Sequence, residues 1–486
     1  MKIGQTSLVV FLSRLLASAL GFLATLYFAR KLGPEVIGLF ALVTTVVGWL
    51  TLVGNVGVGQ AMKKRISEGE DQGEYLSAAV LWVIFTAILI SIGVLVLHPL
   101  LENYLGEFER YVKISVVWFV LGILYIQLLH RSVFRLIVAQ RMVHIRGLLD
   151  PVNVGGRSLF QIVLVFVGYG LLGMLVGWML GGVLVGLLGL YWVHIRPARP
   201  AKQHFKRLFD YAKFSWLSGL KSRAFNQVDI LLLGVFVSSS LVGVYSVAWS
   251  IAKFLELFGN AIGKTMFPEI SHTSAQGSTN DVAGMVEDSL AFNGLIAIPG
   301  LIGGLVLAER LMRLYGPEFA QGATVLALLI LATLIYSYQS RLLNTLNAID
   351  RPDLAFRINL IFIGLNAVLN VVLIWQFGVE GAAVATALSA LVGLVLSYYA
   401  LDNLIEFQTP VREPLRQVLA ALVMGGVVWA ALDVIETTDV VSHNVVIVLG
   451  LVGSGATVYF LTLLTISPQF RATVDRNLPF EVPLLG

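Results

Sequence analysis

The sequence predicts an all-α integral membrane protein with 14 transmembrane helices, arranged as two pseudo-symmetric six-helix lobes plus two C-terminal helices. Three observations carry that expectation. Hydrophobic residues form 57% of the 486, charged residues only 13%, and the mean hydropathy is +0.84. A soluble domain is roughly 45–50% apolar and about 25% charged, so a globule of this composition could not cover its surface and the surplus belongs in lipid. The apolar residues also fall in runs long enough to cross a bilayer, at roughly 20 residues per crossing. Finally, the pattern repeats at an offset of 205–208 residues.

Residues 8–29 form the first run, which is longer than a signal-peptide core and ends in Arg30-Lys31 without a small-residue cleavage pattern. It therefore reads as the first helix rather than a cleaved leader. Spans at 37–60, 77–97, 114–134, 151–167 and 171–193 complete the first lobe. Those at 214–237, 241–265, 286–307, 322–341, 355–377 and 379–401 make the second, and 415–433 and 443–465 follow. The expected divisions are 1–200, 201–405 and 406–486. Tight turns at Gly168-Tyr169-Gly170 and Ser238-Ser239-Ser240 mark helical hairpins. The 47 glycines suit helices packed closely in a bilayer. Pro299-Gly300 interrupts the ninth span, as a packing kink or as a hinge.

Lysine and arginine in the loops set the orientation. Twenty-two lie on one side (Lys2, Lys63–Arg65, Arg131, Arg135, Arg141, Arg146, six between Arg196 and Lys213, Lys264, Arg341, Arg351, Arg357, Arg412, Arg416, Arg471 and Arg476) and six on the other. The split places both termini in the cytoplasm, with the protein in the plasma membrane. Residues 131–149 mix spaced arginines with an apolar face. They read either as a helix lying along the inner leaflet or as a cytoplasmic extension of the fourth helix.

At a shift of 205, Gly38-Leu39-Phe40 falls on Gly243-Val244-Tyr245, Gly54-Asn55 on Gly259-Asn260, Leu50 on Leu255 and Ser13 on Ser218. At 208, Gly170-Leu171-Leu172-Gly173 falls on Gly378-Val379-Glu380-Gly381. A three-residue loop insertion reconciles the offsets. An even number of helices per repeat makes both repeats enter the membrane from the same side, as in transporters built from parallel repeats.

Five basic residues fall within the spans: Arg14, Arg157, Lys221, Arg223 and Lys253, accompanied by Asp229 and Glu256. At roughly 2.5–3.5 kcal/mol for each cation at a helix centre, they could cost on the order of 12–17 kcal/mol in lipid. They are tolerable where they face water, pair, or reach an interface. Arg14, Arg157 and Lys221 lie only about 9–11 Å from the cytoplasmic side at 1.5 Å per residue, so snorkelling is an equal alternative for each. Lys253 is about 18 Å from its outer end, near mid-bilayer, and Glu256 shares its face as a structural partner. A cavity lined by these cations attracts a phosphate or diphosphate group. Asp229 and Glu256 read as counter-charges, or as sites coupling a cation.

Other chemistry finds no support. Gly168-Tyr169-Gly170-Leu171-Leu172-Gly173 fits G-x-G-x-x-G, but no acidic residue stands about 20 positions on. The stretch Gly259 to Thr265 is one residue short of a phosphate loop and ends a membrane helix, so no nucleotide is expected. There is no cysteine, and the seven histidines lack metal-ligand spacing, so no metal or cofactor is expected. No nucleophile motif marks an enzyme, and no nucleic-acid partner is indicated.

The stretch Ala29-Arg30-Lys31-Leu32-Gly33-Pro34-Glu35-Val36-Ile37-Gly38-Leu39-Phe40 resembles the helix 1–2 junction of polysaccharide flippases, within the multidrug/oligosaccharidyl-lipid/polysaccharide exporter superfamily. The resemblance continues through Val242-Gly243-Val244-Tyr245, Phe267-Pro268-Glu269-Ile270-Ser271, Leu314-Tyr315-Gly316-Pro317-Glu318-Phe319, Asn366 to Asn370 and Gly378 to Thr386. It implies a V of two six-helix lobes that moves polyprenyl- or dolichyl-phosphate-linked oligosaccharide from the cytoplasmic to the external leaflet by alternating access. Its implied partners are that glycolipid, membrane lipids and glycan-assembly proteins. The resemblance also implies cavity cations in the first helix and in helices 7–8, positions that Arg14 and Lys253 match. Drug-exporting relatives commonly carry a carboxylate in the first helix, and none stands there in this chain. A cation-coupled exporter of amphipathic small molecules is the second reading. A membrane glycosyltransferase or ligase is the third, weakened by the small external loop at 97–113.

Overall fold

A computed structural model describes residues 3–55, 57–438 and 443–477; at 3–16, 18, 214–219, 221, 222, 224, 256–265, 476 and 477 it describes the backbone only. The described secondary structure is helical, and among the described residues nine helices are long and apolar enough to cross a membrane. The chain is a multi-pass, all-helical membrane protein. Its lipid face is plain on α3 (Gln72–Val96), where Leu81, Ile84, Phe85, Ile88, Leu89 and Ile92 stand exposed on one side. Water would not tolerate so long an apolar stripe.

By contact the chain divides into two compact units, Met1–Gly243 and Val244–Gly486. The first begins with α1 (Ile3–Asn55), broken at Gly33, where φ is 77°. Only glycine adopts that conformation freely, and Pro34 then starts the second half, where a missing N–H costs nothing. After α2 (Val58–Glu68) and α3 come the short α4 (His98–Tyr104) and α5 (Phe108–Tyr111), then α6 (Val116–Ala139), α7 (Val143–Phe166), α8 (Gly170–Leu190) and α9 (Lys202–Phe236). α9, placed by the repeat in the second lobe, packs on α1, α2 and α3. Its start is pinned by buried His204, whose Nδ1 accepts from the Ala201 N–H at 2.9 Å while Nε2 lies 3.2 Å from Asp71.

The second unit contains most of α10 (Ser239–Ala275), then α11 (Thr279–Asn293), α12 (Ala297–Arg313), a 3-10 turn (Pro317–Gly322), α13 (Ala323–Ala348), α14 (Pro352–Asp402), α15 (Arg412–Thr438), α16 (Asn444–Ile466) and α17 (Pro468–Asn477). α15 and α16 pack on α12 through Met424, Leu451 and Tyr459.

One expectation is decided between its alternatives and one needs correction. Of the two readings of 131–149, the extension of the fourth helix holds as far as Ala139: α6 continues through Arg131 and Arg135, Arg141 turns the chain at φ 63°, and α7 starts at Val143. Arg131 and Arg135, counted as loop charges, thus stand inside a helix, as does buried Arg341 in α13. A polar residue ends an apolar run without ending the helical hydrogen-bond ladder. The break in the ninth span also falls earlier than Pro299, at residues 294–296 between α11 and α12. Proline excludes a bond to the carbonyl four residues before it and clashes with that group. The helix therefore stops near Leu295, and Pro299 sits in the first turn of the next one.

Close backbone approaches fall at positions that the 205–208-residue offset pairs. In the α7–α8 hairpin a Cβ on Gly173 would meet Leu164 C at 3.0 Å and Val165 N at 3.1 Å. At the break in α14, where Gly378 has φ 59°, a Cβ on Gly381 would meet the Leu373 carbonyl oxygen at 2.0 Å. Both turns reverse the chain at matching positions. A second correspondence lies where the second half of α1 meets the first turn of α10. A Cβ on Gly38 would come within 1.7 Å of the Ser239 oxygen, and one on Gly243 within 1.9 Å of the Pro34 oxygen. Pro34 and Ser239 share the same 205-residue shift as Gly38 and Gly243, so the two approaches mirror each other in sequence.

Candidate functional site

The candidate site is built from cations that lie on helices the sequence reads as spans. In the N-terminal unit Arg157 lies half-buried on α7. Its guanidinium stacks 4.1 Å over the Trp178 ring on α8, and Trp178 in turn meets Phe40 of α1 with ring centroids 5.4 Å apart. α7 and α8 come close enough for this because Gly177 and Gly181 lie directly on the backbones of Gln161 and Arg157, leaving no room for a Cβ. A desolvated cation–π contact contributes about 2 kcal/mol, which partly offsets the burial of Arg157, although its Nε remains buried without a hydrogen-bond partner.

Arg223, half-buried on α9, donates through Nη1 to the Gln227 side-chain oxygen one turn on. The guanidinium fits against α1 only because residue 48 is glycine: a Cβ there would stand 2.5 Å from Nη1. Among the described residues neither Arg157 nor Arg223 is ion-paired to a carboxylate. Asp229 is buried on the same helix, six residues beyond Arg223 and so about 240° round the axis at 100° per residue. Its side chain leaves α9 on another face.

Lys253 belongs to the second unit, half-buried on α10, with its ammonium 5.3 Å over the Trp249 ring one turn earlier. The side chains of Arg14, Lys221 and Glu256 lie outside the described residues, although the backbone of each is helical. The expected Lys253–Glu256 pairing falls there too. Sequence reasoning missed Trp178, Gln227 and Gly48 as the groups that hold Arg157 and Arg223. Arg157 and Trp178 sit on adjacent spans, with glycines at four-residue spacing opposite the arginine, a signal that was readable in principle.

The loop 97–113, too small for a catalytic domain, has structural work instead. The Tyr104 hydroxyl donates to the Leu231 carbonyl oxygen at 2.7 Å, the Ser239 hydroxyl donates to Glu107, and Arg110 lies 4.0 Å from Glu35. These bonds tie α4 and α5 to the α9–α10 junction and to the start of the second half of α1.

Comparison with known proteins follows the same lines. Residues 27–321 match the family described as "Polysaccharide biosynthesis protein". The chain is 31% identical over 485 residues to the "Probable flippase AglR" of Haloferax volcanii, covering 98% of each. It is 28% identical over 486 residues to the "Probable low-salt glycan biosynthesis flippase Agl15" of the same organism, covering 100% of each. Among solved structures, the lipid II flippase MurJ in an inward closed conformation superposes with a TM-score of 0.76 at 16% identity, covering 96% of this chain and 100% of that one. The family match spans more than half the chain and the AglR alignment runs nearly end to end: this protein belongs to the polysaccharide biosynthesis protein family.

Proposed function

We propose that this protein is a flippase that carries lipid-linked oligosaccharide, on a polyprenyl or dolichyl phosphate or diphosphate, from the cytoplasmic to the external leaflet of the plasma membrane. It is a transporter, not an enzyme. The observation that carries the reading is the pair of half-buried arginines, Arg157 and Arg223, kept in membrane helices without carboxylate partners among the described residues. A protein does not retain such charges in lipid for stability, because each unpaired charge opposes folding. A phosphate supplies the missing counter-charge in the bound state. The relatives named as flippases, one of them for glycan biosynthesis, support this reading.

On this reading the chain crosses the bilayer fourteen times with both termini in the cytoplasm, in functional lobes 1–200 and 201–405 followed by 406–486. Arg14 and Lys253, with Arg157, Lys221 and Arg223, receive the headgroup while the lipid tail stays in the bilayer. Asp229 and Glu256 act as counter-charges elsewhere in the protein, lowering the net positive charge that the cations carry. Glycan-assembly proteins supply and consume the cargo. A cation-coupled drug exporter would call for a carboxylate in the first helix, and residues 8–29 contain none.

The test is deletion of the gene followed by mass spectrometry of lipid-linked sugars sorted by leaflet accessibility. Glycolipid should accumulate on the cytoplasmic face and surface glycan should fall. Unchanged glycan with lost resistance to cationic dyes would select the exporter instead.

A further inference from the structure

The segment that joins α3 to α6 is packed on one side and gripped by side-chain ends on the other. Toward α6 it is anchored. Phe108 of α5 is buried with its ring 5.8 Å from that of Phe119, and the Ser115 hydroxyl donates to Glu102 at 2.7 Å. α4 buries none of its own residues. Toward the α9–α10 turn the Tyr104 hydroxyl donates to the Leu231 carbonyl oxygen at 2.7 Å, and Glu107 accepts from the Ser239 hydroxyl. Arg110, exposed, reaches to 4.0 Å from Glu35 of α1.

Two glycines show what these side chains control. Gly234 of α9 makes the place for Tyr104: a Cβ there would stand 2.7 Å from the Tyr104 Cζ and 2.5 Å from the Leu42 Cδ2 of α1. The tyrosine ring therefore sits where α9 meets α1. Ser239 is held twice. Its hydroxyl goes to Glu107, while its carbonyl oxygen fills the space that a Cβ on Gly38 of α1 would need. The strap thus grips the very residue whose backbone abuts the second half of α1. A hydrogen bond exchanged for one to water changes stability little, so a contact made of polar side-chain ends parts and re-forms readily. The apolar anchor on α6 does not. Local opening takes the weakest contact first, which puts the parting surface between strap and turn.

We propose that the α4–α5 strap is a latch. Docked, it holds the α9–α10 turn against the second half of α1 and keeps shut the end of the N-terminal unit that the loop charges place outside; undocked, it lets that end open. The proposal rests on the flippase reading for its purpose and adds to it a named device that must release once in each transport cycle.

The chain has no cysteine, so introduced thiols report without background. Glu107→Cys/Ser239→Cys in the full chain is reconstituted in vesicles with a diphosphate-linked isoprenoid oligosaccharide and bridged by a short bis-methanethiosulfonate. Flipping, read as lectin access, should fall about tenfold when gating limits the cycle and return when a reductant removes the bridge. The same protein serves as its own folding control. Glu107→Cys alone, treated alike, should not lose flipping on treatment. Undiminished flipping by the bridged chain overturns the latch and leaves the flippase reading standing. No flipping by wild type overturns that reading instead, and the latch is then decided by distance. Spin labels at Glu109→Cys and Ser238→Cys, both exposed positions, should give a shorter and a longer separation. Tyr104→Phe, which removes only the hydroxyl, should roughly double the longer share. A single separation that Tyr104→Phe leaves unchanged overturns the latch, including where the bridged variant fails to fold.

Discussion

Arg157 shows how one cation is made tolerable in an apolar helix contact. Trp178 supplies a face for the guanidinium, Gly181 lets the two helices touch, and the unpartnered Nε leaves one donor over. Trp178→Leu keeps the apolar bulk but removes the π face, so it should cost about 2 kcal/mol of the cation–π contribution and lower the unfolding temperature of the purified protein. Arg157→Leu in the same background should then cost little more. Additive losses would separate the two residues. The cation itself was legible in the sequence, because an arginine amid an apolar run is conspicuous. Its partner was not, because the stacking depends on how two helices rotate against each other, and hydropathy does not encode that rotation.

Between helices, glycine decides where backbones touch and where they only make room for a side chain. At Gly38 and Gly243 the obstacle to a Cβ is backbone of the opposite segment, whereas at Gly48 and Gly59 it is the end of an arginine. Backbone cannot step aside, but a guanidinium can. Gly243→Ala should therefore destabilise by roughly 1–3 kcal/mol or more and abolish transport. Gly59→Ala should fold nearly as well as wild type while displacing the Arg135 guanidinium. Paired thermal-unfolding and transport measurements check both outcomes. Much at this scale could be read from sequence: the Gly33-Pro34 break, the hairpin glycines and the 205-residue correspondence that reappears in the mirrored approaches of Gly38 and Gly243. The end of α6 was legible only as one of two alternatives. Residues 131–149 lose their apolar character at Arg131, yet helical hydrogen bonds run on to Ala139. Pro299 likewise announced a break, but its effect falls on the carbonyl four residues earlier, so the helix ends before the residue that ends it.

For the whole molecule, the account rests on cations placed in lipid to hold a moving negative charge. The membrane class followed from composition alone, and the lipid-facing stripe of α3 agrees with it. The flippase reading needed more than composition, because an arginine in a span is equally compatible with snorkelling; the resemblance and the family membership support the reading from outside those residues. Transport should accordingly fall at high ionic strength less than expected for surface charges, since buried pairs are weakly screened. Rates measured across a salt series in reconstituted vesicles would check this. The most direct measurement is a flipping assay on the purified full chain in vesicles carrying a diphosphate-linked isoprenoid oligosaccharide, followed by lectin access to the outer leaflet. Wild type should expose glycan in a time-dependent way, and Arg14→Ala/Lys253→Ala should hold it near the rate of protein-free vesicles. Equal exposure by the well-folded double variant would contradict the account at its centre.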